Sequence, residues 1–364
     1  MDWKWIRRGG WRRGGKEPKQ ERIGASDVCL HRDRGYGLLG EIPAMKNQIF
    51  GLLLSLTFAL SASAGEWVNI SDAVTASLKP GYAGPTAGVV VDRASGAVFM
   101  VVNDLGLWRS LDHGATFARG DQENIGGRCE TGWALQADPA GRRLFCFMIY
   151  GSSALTTDGG GSWSKSGTSH LDFGSVDWAD TGKRLLAIRH ESGGLLTTSA
   201  DGGLTWQDLT KGFSGCGVFD QSTFVATRAA EPGIFRSTDA GKNWTLVSSN
   251  TPSAAVPTVF RGKGYWATGK GILQSADRGL TWVDLGAPVA ASFGPYFGRD
   301  EQHLVVVGKS GFQESKDGGQ TWQLAAPLPA GFGIGRIGPN YAWDPDANIF
   351  YASTMTKPTF KYQR

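Results

Sequence analysis

The eight residues "SADRGLTW", from Ser275 to Trp282, recur along the chain with small changes and decide how the rest of the sequence is interpreted. Five further copies read "SLDHGATF", "TTDGGGSW", "SADGGLTW", "STDAGKNW" and "SKDGGQTW", and they start at Ser110, Thr156, Ser199, Ser237 and Ser315. Successive copies place their aspartates 38 to 46 residues apart, which is the period of propeller blades or solenoid units. A repeat therefore organises the chain.

Each copy has the composition of a tight turn between two strands. The Ser or Thr and the Asp can accept hydrogen bonds from N–H groups of the turn, and the Gly tolerates a positive φ. The aromatic residue that ends the copy begins the next strand. Because turn chemistry explains every fixed position, we interpret the six aspartates as structural. They are Asp112, Asp158, Asp201, Asp239, Asp277 and Asp317.

The pattern resembles the Asp-box, also called the bacterial neuraminidase repeat, and six copies make the resemblance specific. It implies a β-propeller. Asp-boxes occur in sialidases, xyloglucanases, sortilin-type receptors and photosystem II assembly factors, so the resemblance implies a fold more than an activity.

A second hairpin lies between successive Asp-boxes, for example in "VVVDRASGAVFMVV", and gives four strands per repeat. After the sixth repeat, "YAWDPDANIFYAS" and "TFKYQR" supply three strands of a seventh blade. The segment "GEWVNIS" from Gly65 is similar to the strand that follows an Asp-box, so we expect it to complete that blade and cover its edge. The sequence predicts an all-β, seven-bladed propeller with four-stranded blades and a ring closed by the mature N-terminal strand.

Three segments divide the chain. Residues 45–64 have a lysine, a short apolar run and small residues at Ala62 and Ala64, which predicts a secretory signal peptide cleaved before Gly65. Residues 1–44 are basic and precede that signal, and we interpret them as the product of a start codon placed too early or as a disordered extension. Residues 65–364 form the propeller. We expect a periplasmic or secreted protein without a stable membrane span after cleavage.

The charge content bears on the class of partner, and the cysteine content bears on disulfide pairing. Residues 65–364 hold 26 Lys and Arg against 27 Asp and Glu, so a nucleic-acid partner is not predicted. No motif calls for a cofactor or a metal, and we expect the protein to be monomeric on its own. Cys129, Cys146 and Cys216 cannot all pair, and the sequence leaves their pairing open.

Candidate site residues lie in the loops that we place opposite the Asp-boxes. "SHLDF" and "IRHES" bring two histidines and two carboxylates to one end of the third blade, where they suit acid–base chemistry or form a surface polar cluster. Cations at similar positions in four consecutive blades form an arc suited to carboxylate, sulfate or phosphate groups, or are simply solvated. The ligand-binding candidates are Arg128, Glu130, His170, Asp172, Arg189, His190, Glu191, Arg228, Lys270 and Lys309.

Two functions from different classes remain. A sialidase needs an arginine motif of the F-R-I-P kind, and the similar "IFRST" leads into an Asp-box. A xyloglucanase-like inverting enzyme needs two carboxylates about 6.5–9.5 Å apart. The formal candidates for that pair are Asp104, Glu130, Asp172 and Glu191. Length, export signal and repeats also resemble single propellers of the photosystem II assembly-factor type, which implies a non-catalytic scaffold for a protein or an anionic ligand. We predict that scaffold, with a glycoside hydrolase acting on extracellular glycans as the alternative.

Overall fold

The computed structural model describes residues 65–78, 84–122 and 125–364. The predicted leader and signal peptide lie outside the described residues. The described chain contains seven four-stranded antiparallel sheets and one short helix, α1 (Asp72–Thr75). The predicted seven-bladed propeller is therefore confirmed.

Each of blades 1 to 6 uses four consecutive strands, numbered from the innermost outward. Blades 1 and 2 are built from β2 (Thr86–Asp92), β3 (Ala97–Val102), β4 (Leu107–Ser110), β5 (Ala118–Arg119), β6 (Leu135–Ala137), β7 (Leu144–Cys146), β8 (Ala154–Thr156) and β9 (Ser164–Lys165). Blades 3 and 4 are built from β10 (Leu171–Val176), β11 (Leu185–Arg189), β12 (Leu196–Ser199), β13 (Gln207–Asp208), β14 (Phe213–Val218), β15 (Phe224–Arg228), β16 (Ile234–Ser237) and β17 (Thr245–Ser248). Blades 5 and 6 are built from β18 (Thr258–Phe260), β19 (Lys263–Ala267), β20 (Ile272–Ser275), β21 (Val283–Asp284), β22 (Phe293–Phe297), β23 (Leu304–Gly308), β24 (Gly311–Ser315) and β25 (Gln323–Ala326).

Blade 7 joins the two ends of the described chain. Its inner strands are β26 (Pro339–Asp344), β27 (Ile349–Thr354) and β28 (Lys357–Gln363), and its outermost strand is β1 (Trp67–Asn69). β1 pairs with β28 in the register Trp67 to Tyr362. The Trp67 ring packs against Phe312 and Tyr362, and its indole N–H donates to the Pro327 carbonyl at 3.0 Å. The predicted closure by the N-terminal strand is confirmed.

The Asp-box turns satisfy their own polar groups. In the copy at Ser275, Asp277 Oδ1 accepts from the Ser275 hydroxyl at 2.8 Å and from the Thr281 N–H at 2.9 Å. Its Oδ2 accepts from the Thr281 hydroxyl at 2.6 Å, and the Gly279 N–H donates to Ser275 Oγ at 2.8 Å. Gly279 has φ +79°, in the region that favours glycine. The same bonds recur in the other five copies.

The core lies between neighbouring blades and around the central channel. Among the largest fully buried side chains are Tyr265, Trp266, Phe293 and Phe312, all on strands. The Asp-box tryptophan Trp282 is also buried and donates to the Gly279 carbonyl, so it packs a turn against its blade. Burial of apolar and aromatic area on this scale is the main stabilising contribution to the fold.

Candidate functional site on the channel face

The propeller has two ends with different loops. Turns between the first and second strands share one end with the Asp-box turns, which we call the Asp-box face, because strand direction alternates within each blade. Loops between the second and third strands, and those between blades, lie at the opposite end, which we call the channel face. All ten ligand-binding candidates lie on or beside loops of the channel face.

An imidazole joins a phenol to two carboxylates on this face. His190 Nδ1 lies 2.7 Å from Asp172 Oδ1, and its Nε2 lies 3.4 Å from the Tyr150 hydroxyl and 3.8 Å from Glu191 Oε1. A ring held on one nitrogen by a carboxylate and facing a hydroxyl with the other can accept or donate a proton. The arrangement therefore supports acid–base chemistry as well as hydrogen bonding to a ligand.

A half-buried ion pair holds the phenol from the other side. Arg128 Nε contacts Glu130 Oε1 at 2.6 Å, and the guanidinium lies 4.6 Å from the centre of the Tyr150 ring. The His170 ring meets Tyr150 edge-on at 4.7 Å between centroids. We call these residues the Tyr150 cluster; its members are Arg128, Glu130, Tyr150, His170, Asp172, His190 and Glu191.

Three members of the cluster have left-handed backbones. The φ angles are 56° at Tyr150, 59° at His170 and 50° at Glu191. Non-glycine residues adopt this conformation uncommonly and at a cost of about 1 kcal/mol or more each, and such residues are frequent at functional sites. The strained backbone directs an aromatic, an imidazole and a carboxylate toward one place on the surface.

The charge of the cluster is on balance acidic. Burial raises the pKa of Asp172 above its ordinary value; the hydrogen bond from His190 opposes that shift, and the charges of Glu130 and Glu191 add to it. Arg336 approaches from the loop before β26, donates to the Ser214 carbonyl, and has its pKa lowered by burial while Asp172 acts in the other direction. Three carboxylates thus face two guanidinium groups.

The inner edge of blade 2 supports the cluster through an irregular segment. Arg128 pairs with Ile149 and Ala134 accepts from Phe147, so residues 129–133 bulge out of the blade; we call them the channel bulge. Trp133 stacks on Phe293 of blade 6 at 4.8 Å, and Thr131 pairs with Ile337 before blade 7. Blade 2 thereby contacts blades on the far side of the channel and places Arg128 and Glu130.

The remaining predicted cations lie apart from the cluster. Arg189 points to the outer strand, where its Nε contacts Asp208 at 2.6 Å, and Arg228 contacts Glu231 at 3.1 Å and covers the Phe235 ring. Lys270 and Lys309 are exposed. Carboxylates therefore compensate two members of the predicted cationic arc, and within the described part of the chain no hydrogen bond or ion pair joins the four cations.

Sequence reasoning left three residues of this surface out of the candidates. Tyr150 stands in the loop "MIYGSS", and a single tyrosine in a loop carries no motif. Arg336 and Ile337 lie in the segment before β26, which has no repeat pattern. The signal that was available is the spacing: the first two Asp-box intervals, 46 and 43 residues, exceed the later ones and point to extra chain around blade 2.

Other observations bear on the chemistry that is available. Cys129, Cys146 and Cys216 are buried and unpaired, and burial raises the pKa of each thiol. Within residues 65–78, 84–122 and 125–364, no group of three or more His, Cys, Asp or Glu is arranged to hold a metal ion. Among the described residues there is also no helix with the length and hydrophobicity to cross a membrane.

The fold and its six hydrogen-bonded turns define a seven-bladed Asp-box propeller. A profile of the family described as BNR/Asp-box repeat matches residues 313–324, which contain the whole of the last copy. No curated protein is similar enough in sequence to count as a match.

GH74 enzymes and YCF48 are among the solved structures with this architecture. The GH74 enzyme from Niastella koreensis is 15% identical with a TM-score of 0.50, and the match covers 81% of this chain but only 53% of that enzyme. YCF48 bound to D1 peptide is 17% identical with a TM-score of 0.47, covering 84% of this chain and 97% of that one. The GH74 xyloglucanase from Xanthomonas campestris is 16% identical with a TM-score of 0.38, covering 77% and 58%. At these identities the similarity concerns the propeller fold alone, and this chain spans about half the length of the first enzyme.

Proposed function

We propose that the protein is a non-catalytic binding or assembly scaffold that holds a segment of a protein partner on its channel face, at the Tyr150 cluster. The observation that carries the proposal is that exposed apolar side chains lie beside charged residues that already form ion pairs. Tyr150 is 49% exposed and Ile337 is 69% exposed. The channel bulge pairs with Ile337 through Thr131. Its Glu130 holds the Arg128 guanidinium that lies against the Tyr150 ring. Aromatic and apolar anchors surrounded by ion pairs are characteristic of protein interfaces.

The charge of the cluster selects among partners. Glu130, Asp172 and Glu191 outnumber the nearby Arg128 and Arg336, so a segment with an apolar anchor and flanking Lys or Arg complements the surface better than an acidic one. The predicted signal peptide at residues 45–64 supports a partner in the periplasm or outside the cell. The anionic ligand suggested by the sequence is less favoured here, because Arg189 and Arg228 are already paired.

Fluorescence anisotropy of residues 65–364 tests this proposal. The probes are two labelled peptides of identical length with a central Leu-Tyr pair, one flanked by lysines and the other by glutamates. We expect the basic peptide to bind more tightly and its affinity to fall about tenfold or more in Tyr150→Ala and in Ile337→Ser, as for anchors at the centre of an interface. Leu204→Ser is the matched control, because Leu204 is 55% exposed and belongs to the Asp-box that starts at Ser199, on the opposite face. Equal loss in the control, or binding without regard to charge, would contradict the proposal.

A glycoside hydrolase is the second candidate, favoured by the Tyr150, His190 and Asp172 contacts. A phenol that faces an imidazole held by a carboxylate can act as a nucleophile or an acid. Turnover of sialosides, xyloglucan and bacterial polysaccharides should be measured with His190→Ala and Arg189→Ala alongside. Turnover lost only in His190→Ala would establish catalysis at the cluster and exclude a purely non-catalytic role.

A further inference from the structure

The central channel contains two connected cavities at its Asp-box end, away from the Tyr150 cluster. The inner cavity has a volume of about 140 Å³, and its lining includes Trp133, Tyr296, Tyr341 and Trp343. The outer one is an open mouth of about 470 Å³. The two share Arg93, Asp138 and Pro139, so the mouth leads into the inner cavity. A concave site lined mainly by apolar and aromatic side chains, with a few charged groups, is the usual form of a small-molecule site.

Three arginines line the mouth, namely Arg93, Arg261 and Arg299. Arg299 contacts Asp346 at 3.0 Å and is compensated. Arg261 donates to the Arg299 carbonyl at 2.9 Å, and Arg93 reaches only the Pro139 carbonyl, at 3.5 Å. Within the described part of the chain, neither of these two guanidinium groups has an ion pair.

Three acids lie near the mouth, namely Asp138, Asp344 and Asp346. Asp138 is held by Arg143 Nε at 2.6 Å, and Asp346 is the partner of Arg299. Burial lowers the pKa of Arg93 and the charge of Arg299 adds to that shift, whereas Asp346 and Asp344 oppose it through space, so the charged form is disfavoured on balance. An anion placed there would favour the charged form.

Two buried donors beside the cavities lack acceptors. Arg93 Nε and the indole N–H of Trp343 are both buried without a hydrogen-bond partner, and both residues line the inner cavity. Buried polar groups are nearly always paired, and an unpaired one costs about 1–3 kcal/mol. These N–H donors lack acceptors, and among the described residues the guanidinium groups of Arg93 and Arg261 lack ion pairs. A ligand with acceptor oxygens would satisfy both.

We propose that the Asp-box end of the channel binds a small organic anion, with its carboxylate, sulfate or phosphate on Arg93 and Arg261 and its apolar part in the inner cavity. Arginine is suited to this task because its fork of N–H groups matches the oxygens of such anions. The inner cavity has about the volume that accommodates one benzene ring in a protein core. The site is separate from the proposed protein-binding surface.

Isothermal titration with phenyl phosphate tests the proposal, with benzyl alcohol and inorganic phosphate as the two half-ligands. We expect phenyl phosphate to bind at least about tenfold more tightly than either half-ligand, since it uses both the cations and the cavity. Arg93→Gln and Arg261→Gln should each weaken binding about tenfold or more, in line with the loss of a charge-assisted hydrogen bond. Arg261 is exposed, so its variant remains informative if Arg93→Gln folds poorly.

Two control variants make the result specific. Arg236→Gln removes the same charge from a guanidinium that donates to the Arg278 carbonyl away from the mouth, and Tyr150→Ala alters the other end of the channel. Both should bind phenyl phosphate as the parent protein does. Equal weakening in Arg236→Gln, equal affinity for benzyl alcohol, or no binding at millimolar concentration would overturn the proposal. Benzoate and benzenesulfonate then rank the three anionic groups.

Discussion

At the scale of single residues, each Asp-box aspartate serves its own turn. Asp277 accepts hydrogen bonds from Ser275, Leu280 and Thr281, so little of its carboxylate is left for a ligand. The same short sequence pattern therefore forms the same turn six times, and an eight-residue match was enough to predict it. Local hydrogen bonding within a few residues is the kind of structure that sequence specifies directly.

Asp277→Ala should reduce the free energy of unfolding without a selective effect on binding. We expect a loss of about 1–3 kcal/mol, because the hydroxyl and N–H donors of the turn lose their acceptor. Urea unfolding measures this loss in the free energy of unfolding. Asp284→Ala is the control, since Asp284 is exposed on the next strand. A full loss of peptide binding with unchanged stability would show that Asp277 has a functional role.

The Asp-box carboxylates also predict a dependence of stability on pH. Hydrogen bonds from the Ser162 hydroxyl and N–H lower the pKa of Asp158 to about 2, and those from Thr321 do the same for Asp317. The unfolded pKa is about 3.9, so this stabilisation is present above about pH 4 and is lost as the pH falls toward 2. The urea midpoint should decrease over that interval and change less steeply in Asp317→Asn. A midpoint that is constant from pH 5 to 2 would contradict the assignment.

The Tyr150 cluster was only partly predictable. His170, Asp172, His190 and Glu191 come from one blade, and the sequence indicated their proximity because two loops of one blade lie at the same end. Tyr150 and Arg336 come from other parts of the chain, and nothing in the local pattern specifies that they meet. Arg189 is next to His190 in the sequence, but it ends strand β11 and its side chain contacts Asp208 on the outer strand.

At the scale of elements, the channel bulge departs from the repeat. A regular blade would continue pairing from Arg128 to Ala134, whereas here residues 129–133 leave the sheet and contact blades 6 and 7. Hairpin patterns predict pairing between neighbouring strands and contain no information about contacts across the channel. For that reason the four-stranded blades were predicted from the sequence and the bulge was not.

Gly132→Ala should strain the bulge. A Cβ at this position would lie 2.3 Å from a ring carbon of Phe293 and 2.7 Å from the Pro339 carbonyl oxygen, so the backbone or the ring must move. We expect a loss of about 1–3 kcal/mol, as for other overpacked cores. Gly126→Ala is the matched control, because a Cβ there meets no atom within 4 Å. Equal stability of the two variants, measured by urea unfolding, would mean that the bulge is free to shift.

At the scale of the whole molecule, the ring depends on pairing between distant parts of the chain. β1 covers the edge of β28 and buries part of Trp67 against Phe312 and Tyr362. An unpaired β28 would present free N–H and C=O groups to solvent and to other molecules. The fold class and the blade count were predictable because seven units of similar length must close on themselves.

A variant that begins at Ser71 should lose both the strand and the indole. We expect a reduction of about 3 kcal/mol or more in the free energy of unfolding, the scale of a truncated aromatic residue, together with self-association through the exposed edge. Thermal unfolding and light scattering measure the two effects. Glu66→Ala within residues 65–364 should behave as the parent protein. A truncated variant that stays monomeric with an unchanged melting temperature would show that β1 is dispensable.

The pairing of Trp67 with Tyr362 also determines how late in biosynthesis the ring can close. The two residues are separated by almost the whole propeller, and at about 5–20 residues per second the ribosome needs roughly 15–60 s to make that stretch. During this interval the first strand has no partner, and the native ring cannot close on the nascent chain. A polypeptide whose first strand must wait for its last therefore completes its fold only after synthesis of the propeller is finished.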